Sequence, residues 1–235
     1  MTKNFAHRGF SANYPENTML AFQKALEAQC DGIELDVHLT RDGKIIVFHD
    51  ESVDRITNGQ GFIKDMDYPE LRKLDAGNGE HIPTLDEYFD LVEKTGIITN
   101  IELKNSIFPY DGMEEKIIEI IRRRKIEDKI LFSSINHFSM LKCKKLAPDI
   151  ICGFIVEGRM IDPGAYAKKH GIDNIHPDFH SLTDEALAEI RSQGVAIHTY
   201  TVNDPESMKR LVSQGVAAII TDDPDLLHKV LTNKI

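Results

Sequence analysis

Residues 32–50 read Gly32-Ile33-Glu34-Leu35-Asp36-Val37-His38-Leu39-Thr40-Arg41-Asp42-Gly43-Lys44-Ile45-Ile46-Val47-Phe48-His49-Asp50. The first six alternate with period two, so Glu34 and Asp36 project from one face of a strand while Ile33, Leu35 and Val37 take the other. The apolar face calls for helices packed against it. If the charged face points to a barrel interior, the two carboxylates are like charges taken out of water, an arrangement that a cation between them makes tolerable. Asp42-Gly43 between two β-like runs signals a two-residue hairpin. With that pair as the turn, Arg41 faces Lys44, and counting back sets His49 directly opposite Asp36, their Cβ atoms about 5 Å apart.

Short β-rich segments of this kind recur along the chain, near residues 4–7, 32–37, 98–103, 130–133, 150–156, 174–176, 195–200 and 218–221. Amphipathic helical patterns separate them. In the first helix Met19, Phe22 and Leu26, with Ala25 beside them, recur at helical spacing, and Gln23, Lys24 and Glu27 fall outside that stripe. Thr84 and Glu87 have the spacing of a capping box, and Pro205 and Pro224 stand where a helix's first turn tolerates proline. Strand-then-helix alternation implies parallel strands joined by right-handed crossovers. Eight such units in 235 residues indicate an α/β protein, a closed (β/α)8 TIM-type barrel forming one domain over residues 1–235. A doubly wound open sheet is the alternative, but no glycine-rich dinucleotide fingerprint supports it. Residues 51–83, rich in Asp, Gly and Asn, are too long for an ordinary connection. They read as an insertion, a lid on the rim at the C-terminal ends of the strands.

A formal net charge of −10, from 38 acidic against 28 basic side chains, disfavours nucleic acid as a partner and stable association with anionic membranes. A phosphorylated substrate would need a local device against that charge, and a bound cation is the obvious one. Cys30, Cys143 and Cys152 are few, odd in number and scattered, which suits a reducing compartment. The first nine residues lead into no apolar run, so a cytoplasmic location is the expectation.

In such a barrel the active site lies where strands end and the following loops begin. The first strand ends His7-Arg8-Gly9, joining a group that exchanges protons near neutral pH to a rigid fork of donors suited to phosphate. The strand at 98–103 ends Ile101-Glu102-Leu103-Lys104, again with two charged residues on one face. Glu34, Asp36 and Glu102, three carboxylates with no cysteine, suit a hard divalent cation, Mg²⁺ or Ca²⁺. His7 and His49 are a candidate acid–base pair, and Arg8 and Lys104 candidate phosphate contacts. Together they describe metal-assisted hydrolysis of a phosphodiester. A purely structural alternative makes the same charges a salt-bridge network on the rim, and Pro15-Glu16-Asn17-Thr18 reads as a turn and helix cap.

Taken in order, these pieces resemble the glycerophosphodiester phosphodiesterase family over nearly the whole chain. The matching stretches are His7-Arg8-Gly9, Pro15-Glu16-Asn17-Thr18, Glu34-Leu35-Asp36, Val47-Phe48-His49-Asp50, Ile82-Pro83-Thr84-Leu85, Ile101-Glu102-Leu103-Lys104, Thr201-Val202-Asn203 and Ile219-Ile220-Thr221-Asp222. The resemblance implies His7 and His49 as acid and base, Glu34, Asp36 and Glu102 as metal ligands, and Arg8 and Lys104 as phosphate contacts. It implies a small-molecule glycerophosphodiester as substrate, cleaved to sn-glycerol 3-phosphate and an alcohol. The segment after His49 resembles the family's insertion, which covers the glycerol side. Tyr200 stands where the family usually carries tryptophan, so it keeps an aromatic wall against the substrate. Two other functions compete: a phosphodiesterase acting on intact or lyso lipids, for which the insertion looks too polar, and a non-catalytic barrel that binds a phosphorylated metabolite.

Overall fold

The computed structural model describes residues 1–234. Nine strands form one sheet: β1 (Lys3–His7), β2 (Gly32–Leu39), β3 (Ile45–Val47), β4 (Ile98–Leu103), β5 (Ile130–Ser134), β6 (Ile151–Val156), β7 (Asn174–Pro177), β8 (Ala196–Thr199) and β9 (Ala218–Thr221). Eight of them run parallel in the order β1-β2-β4-β5-β6-β7-β8-β9, and β9 returns to pair with β1, closing the barrel. The exception, β3, is an antiparallel hairpin partner of β2. The helices are α1 (Met19–Glu27), α2 (Tyr68–Leu71), α3 (Leu85–Val92), α4 (Met113–Arg124), α5 (His137–Leu146), α6 (Pro163–Lys169), α7 (Asp184–Ser192), α8 (Pro205–Ser213) and α9 (Pro224–Leu231). α2 lies in the insertion and α9 follows the last strand, while the other seven connect successive barrel strands.

Local chemistry sets the helix starts. Thr18 Oγ1 accepts from Ala21 N to cap α1, and Thr84 and Glu87 make the expected capping box on α3. Pro205 and Pro224 take the first turns of α8 and α9. Ala21, Phe22 and Ala25 are the buried face of α1, with Met19 and Leu26 packed at its edge.

Three cores follow from strand alternation. Ile33, Leu35 and Val37 point outward into the main core between barrel and helices. Phe5, Leu131, Ala218 and Ile220 plug the barrel interior. Gly32 makes room for that plug, because a Cβ there would fall 2.4 Å from the Phe5 ring. The third core is the insertion's own: Val53, Ile63, Leu71, Ala76 and Ile82 close over Ile46 and Phe48 of the hairpin arm.

The hairpin corrects one expectation. Val37 pairs with Val47 and Leu39 with Ile45, so the loop holds three residues, Arg41, Asp42 and Gly43, rather than two. Gly43 adopts φ +78°, the left-handed residue that such a loop requires. Lys44 N donates to Thr40 Oγ1 at 2.8 Å, and Thr40 N donates to Lys44 O at 3.0 Å. The Asp42 carboxylate accepts from Thr40 Oγ1 and Tyr68 N, which holds the loop open by one residue. Phe48, not His49, therefore lies opposite Asp36, its N–H donating to the Asp36 carbonyl at 3.0 Å. A one-residue slip exchanges the faces of a strand. Ile46 and Phe48 accordingly build the insertion's core, and His49 lies beyond the end of β3.

Candidate active site

The register of the barrel assembles the site. His7 pairs with Glu34 across β1 and β2, and Asp36 with Glu102 across β2 and β4, so the four side chains gather on neighbouring strands. Glu34 and Asp36 are 3% and 1% exposed. Ligand oxygens of Glu34, Asp36 and Glu102 lie within 4.8 Å of one another. Burial, reinforced by the charges of Asp36 and Glu102, drives the Glu34 carboxyl well above its usual range. Burial also raises Glu102, with Asp36 adding to the effect against the pull of Lys104. Asp36 goes the other way: burial opposes its ionisation, but Lys104 and Arg8 hold it below the carboxylate range. The donor set is all oxygen, and its like charge, offset in part by Lys104 and Arg8, suits a hard cation.

Arg8 enters through a strained turn. Its φ is +55°, and Gly9 follows at +83°, where a Cβ would meet the Ala21 backbone at 2.7 Å. This turn aims Arg8 N at Glu34 Oε2, 3.1 Å away, and sets the guanidinium between Glu16 (2.9 Å) and Asp36 (3.4 Å). Arg8 Nε has no aligned acceptor. Asn17, also left-handed at φ +56°, donates to Asp36 Oδ2 at 2.9 Å. Lys104 Nζ lies 2.9 Å from Glu102 Oε1, 3.8 Å from Asp36 Oδ1 and 3.2 Å from His49 Nε2.

Each of the two histidines is backed by a carboxylate. His7 Nδ1 lies 2.6 Å from Asp222 Oδ1, and His49 Nδ1 lies 2.6 Å from Asp50 Oδ1. Against the opposition of burial, hydrogen bonds from His7, Asn203 and Ser11 hold Asp222 at about 2. Arg55 and His49 do the same for Asp50, also to about 2. Both carboxylates are thus ionised acceptors, and each Nδ1 is the donor. His7 Nε2 stands 3.9 Å from Glu34 Oε2, and His49 Nε2 faces Lys104 Nζ, which in turn donates to Glu102. Buried His38 holds the His49 backbone, its Nε2 3.0 Å from the His49 carbonyl and its Nδ1 3.0 Å from Tyr110 Oη. Tyr200 lines the same recess as His7, Glu34 and Glu102. Burial, with Glu157, Glu102 and Asp178 nearby, raises its hydroxyl and keeps it a donor.

The structure therefore brings together His7, Arg8, Glu34, Asp36, His49, Glu102, Lys104 and Tyr200. Sequence reasoning placed none of Asp222, Asp50, Ser11 and Asn203 in the site, and read Asn17 only as part of a turn and helix cap. Asp50 adjoins His49 and was within reach. Asp222 needed the inference that the last strand of a closed barrel neighbours the first.

A family model described as the glycerophosphoryl diester phosphodiesterase family matches residues 7–226, a span that includes every one of these side chains. The chain belongs to this family. It is 43% identical over 229 residues, 94% of each chain, to a glycerophosphodiester phosphodiesterase of Caldanaerobacter subterraneus subsp. tengcongensis. A Bacillus altitudinis enzyme of the same name is 41% identical over 240 residues, 98% of each chain. Among solved structures, an Oleispira antarctica phosphodiesterase in complex with the product sn-glycerol 3-phosphate superposes with a TM-score of 0.89 at 30% identity, covering 97% of this chain and 96% of its own. Glycerophosphodiester phosphodiesterase activity follows from membership, and the barrel is the family's fold. Among the described residues, no helix is long and apolar enough to cross a membrane.

Proposed function

We propose that the chain hydrolyses small glycerophosphodiesters to sn-glycerol 3-phosphate and an alcohol, in a metal-dependent reaction with His7 and His49 as the acid–base pair. The observation that carries this reading is the pair of histidines, each with Nδ1 tied to an ionised carboxylate, His7 Nε2 facing Glu34 and His49 Nε2 facing Lys104. Glu34, Asp36 and Glu102 would hold the cation, Mg²⁺ or Ca²⁺. When bound, it supplies charge neutralisation at a non-bridging phosphate oxygen. Arg8 and Lys104 donate to the remaining phosphate oxygens, which become more charged as the phosphorus gains its fifth ligand. One histidine accepts the nucleophile's proton at Nε2, and the other donates from Nε2 to the leaving alkoxide. Tyr200 forms the wall on the far side of the mouth from β2, and residues 51–83 form the lid on the near side. The three cysteines are free and buried, in keeping with a cytoplasmic location.

The test is to incubate the purified protein with glycerophosphocholine and assay glycerol 3-phosphate with Mg²⁺, with Ca²⁺ and with EDTA. Product with an ion and none with the chelator is expected. Turnover undiminished by the chelator would remove the metal from the account.

A second reading, hydrolysis of lysolipids, is favoured by one feature of the rim. Phe62, Ile107 and Ile161, on loops of the site face, and Phe138, in the first turn of α5, are 48%, 63%, 89% and 84% exposed. Such a surface would accommodate an acyl chain. Choline release from lysophosphatidylcholine at a rate matching glycerophosphocholine would support that substrate, and no release would exclude it.

A further inference from the structure

Arg55 lies in the insertion, outside the motifs that point to the site, and it makes four hydrogen bonds to two carboxylates. Its Nε donates to Asp50 Oδ2 at 2.6 Å and its Nη2 to Asp50 Oδ1 at 3.1 Å. On the other side Nη1 donates to Glu16 Oε2 at 3.1 Å and Nη2 to Glu16 Oε1 at 2.7 Å. Both grips are two-pronged, the geometry at which a guanidinium excels and an ammonium cannot reproduce.

What the two carboxylates hold gives the contact its meaning. Asp50 Oδ1 is also the acceptor for His49 Nδ1, and Glu16 Oε1 the acceptor for Arg8 Nη1. Arg55 therefore stands one hydrogen bond behind a proposed proton-transfer group and one behind a proposed phosphate contact. Its side chain is 47% exposed. Ion pairs that open to water contribute little to global stability, so folding alone does not account for so complete a set of bonds.

We propose that Arg55 is a positioning residue that sets His49 through Asp50 and Arg8 through Glu16, so that the docked insertion completes the reactive geometry. This inference rests on the function proposed above. Without the guanidinium, Asp50 keeps its bond to His49 but loses the fork that fixes its plane, and the imidazole's orientation loosens with it. Glu16 likewise loses its second partner and no longer fixes where the Arg8 fork points. Binding and chemistry should both suffer, by separable routes.

The test is steady-state kinetics on glycerophosphocholine for Arg55→Ala, Arg55→Lys, Asp50→Asn and Glu16→Gln. Arg55→Ala should lower kcat roughly 10- to 100-fold, the size of a lost charge-assisted hydrogen bond. Arg55→Lys should fail to restore it, because an ammonium cannot grip both carboxylates. Asp50→Asn should act mainly on kcat and Glu16→Gln mainly on KM. The Asp50→Asn loss in kcat should largely vanish when Arg55 is already Ala, since the two act in one chain. Millimolar guanidinium should restore kcat in Arg55→Ala and not in Asp50→Asn. Kinetics of Arg55→Ala within twofold of the parent, or losses that add in full, would overturn the proposal. So would a loss in Arg55→Ala that Arg55→Lys repairs completely, which would reduce the contact to a tether. If His49→Ala is itself fully active, the functional reading fails first. If His49→Ala is inactive and Arg55→Ala is not impaired, only this inference fails.

Discussion

His7 and His49 present the same chemistry from unlike supports. Behind His7 stands Asp222 at the end of β9, itself held by Asn203 at 2.6 Å and Ser11 at 3.0 Å. That station is part of the seam where the barrel closes, and its two partners are 215 residues apart in the chain. Behind His49 stands its neighbour Asp50, fixed by the insertion rather than by the barrel. One station is rigid because the fold is closed. The other shares barrel contacts from His38 and Lys104, but the carboxylate behind it is fixed through residues 51–83, packed on the hairpin arm at Ile46 and Phe48. The difference teaches that the reactive geometry is divided between a framework that comes with the fold and a segment that must dock to complete it.

The largest effect expected is equal on both sides. His7→Ala and His49→Ala should each lower kcat roughly 10²- to 10⁴-fold, the usual contribution of a proton-transfer group. A loss confined to one of them would break the symmetry of function that the two stations share.

Stability should separate them. Ile63 is fully buried in the insertion's core, and Ile63→Ala should cost about 2–5 kcal/mol there. Hydrogen exchange is expected to quicken across residues 51–83 while β1 and β9 stay protected, and kcat to fall with the loss of order at His49. Uniform quickening through the barrel would show that the insertion is not a separate unit.

Asp222→Asn and Asp50→Asn should each reduce kcat roughly 10- to 100-fold, by loss of a charge-assisted bond to imidazole. Only Asp222→Asn should also lower the melting temperature, because Asp222 ties the closing seam. Equal melting temperatures would deny that the supports differ.

A last effect, on stability and not on turnover, concerns the barrel interior beneath His7. Burial lowers His198 to about 4, and it carries His176 well below its usual range, His198 adding to the effect. Above about pH 6.5, the ordinary value, both rings are neutral folded or unfolded, and their stabilisation is fully present. As pH falls from there toward 4, the unfolded chain takes up protons that the folded barrel refuses. Stability therefore drops, by up to about 1.4 kcal/mol per pH unit for each ring. His198→Gln should flatten the fall in urea midpoint across that range, and an unchanged slope would contradict it.

The same division governs what could be read from the sequence. Period-two alternation placed Glu34 with Asp36 and Glu102 with Lys104, because a strand's faces are a local property. Strand–helix alternation gave the barrel, and cap chemistry at Thr84 gave the start of α3. Asp222 escaped notice as the partner of His7 because only closure of the barrel brings them together. The hairpin register missed by one residue, since the turn was fixed by side-chain bonds from Thr40 and Asp42 and not by the Asp42-Gly43 pair alone. Inside the insertion, polar composition concealed a core built from residues as scattered as Val53, Leu71 and Ile82.

The most direct test of the two-station account is the pH dependence of kcat on glycerophosphocholine for the parent, His7→Ala and His49→Ala. A bell is predicted for the parent, with one limb lost in His7→Ala and the opposite limb lost in His49→Ala. Two variants that lose the same limb, or that keep the whole bell, would contradict it.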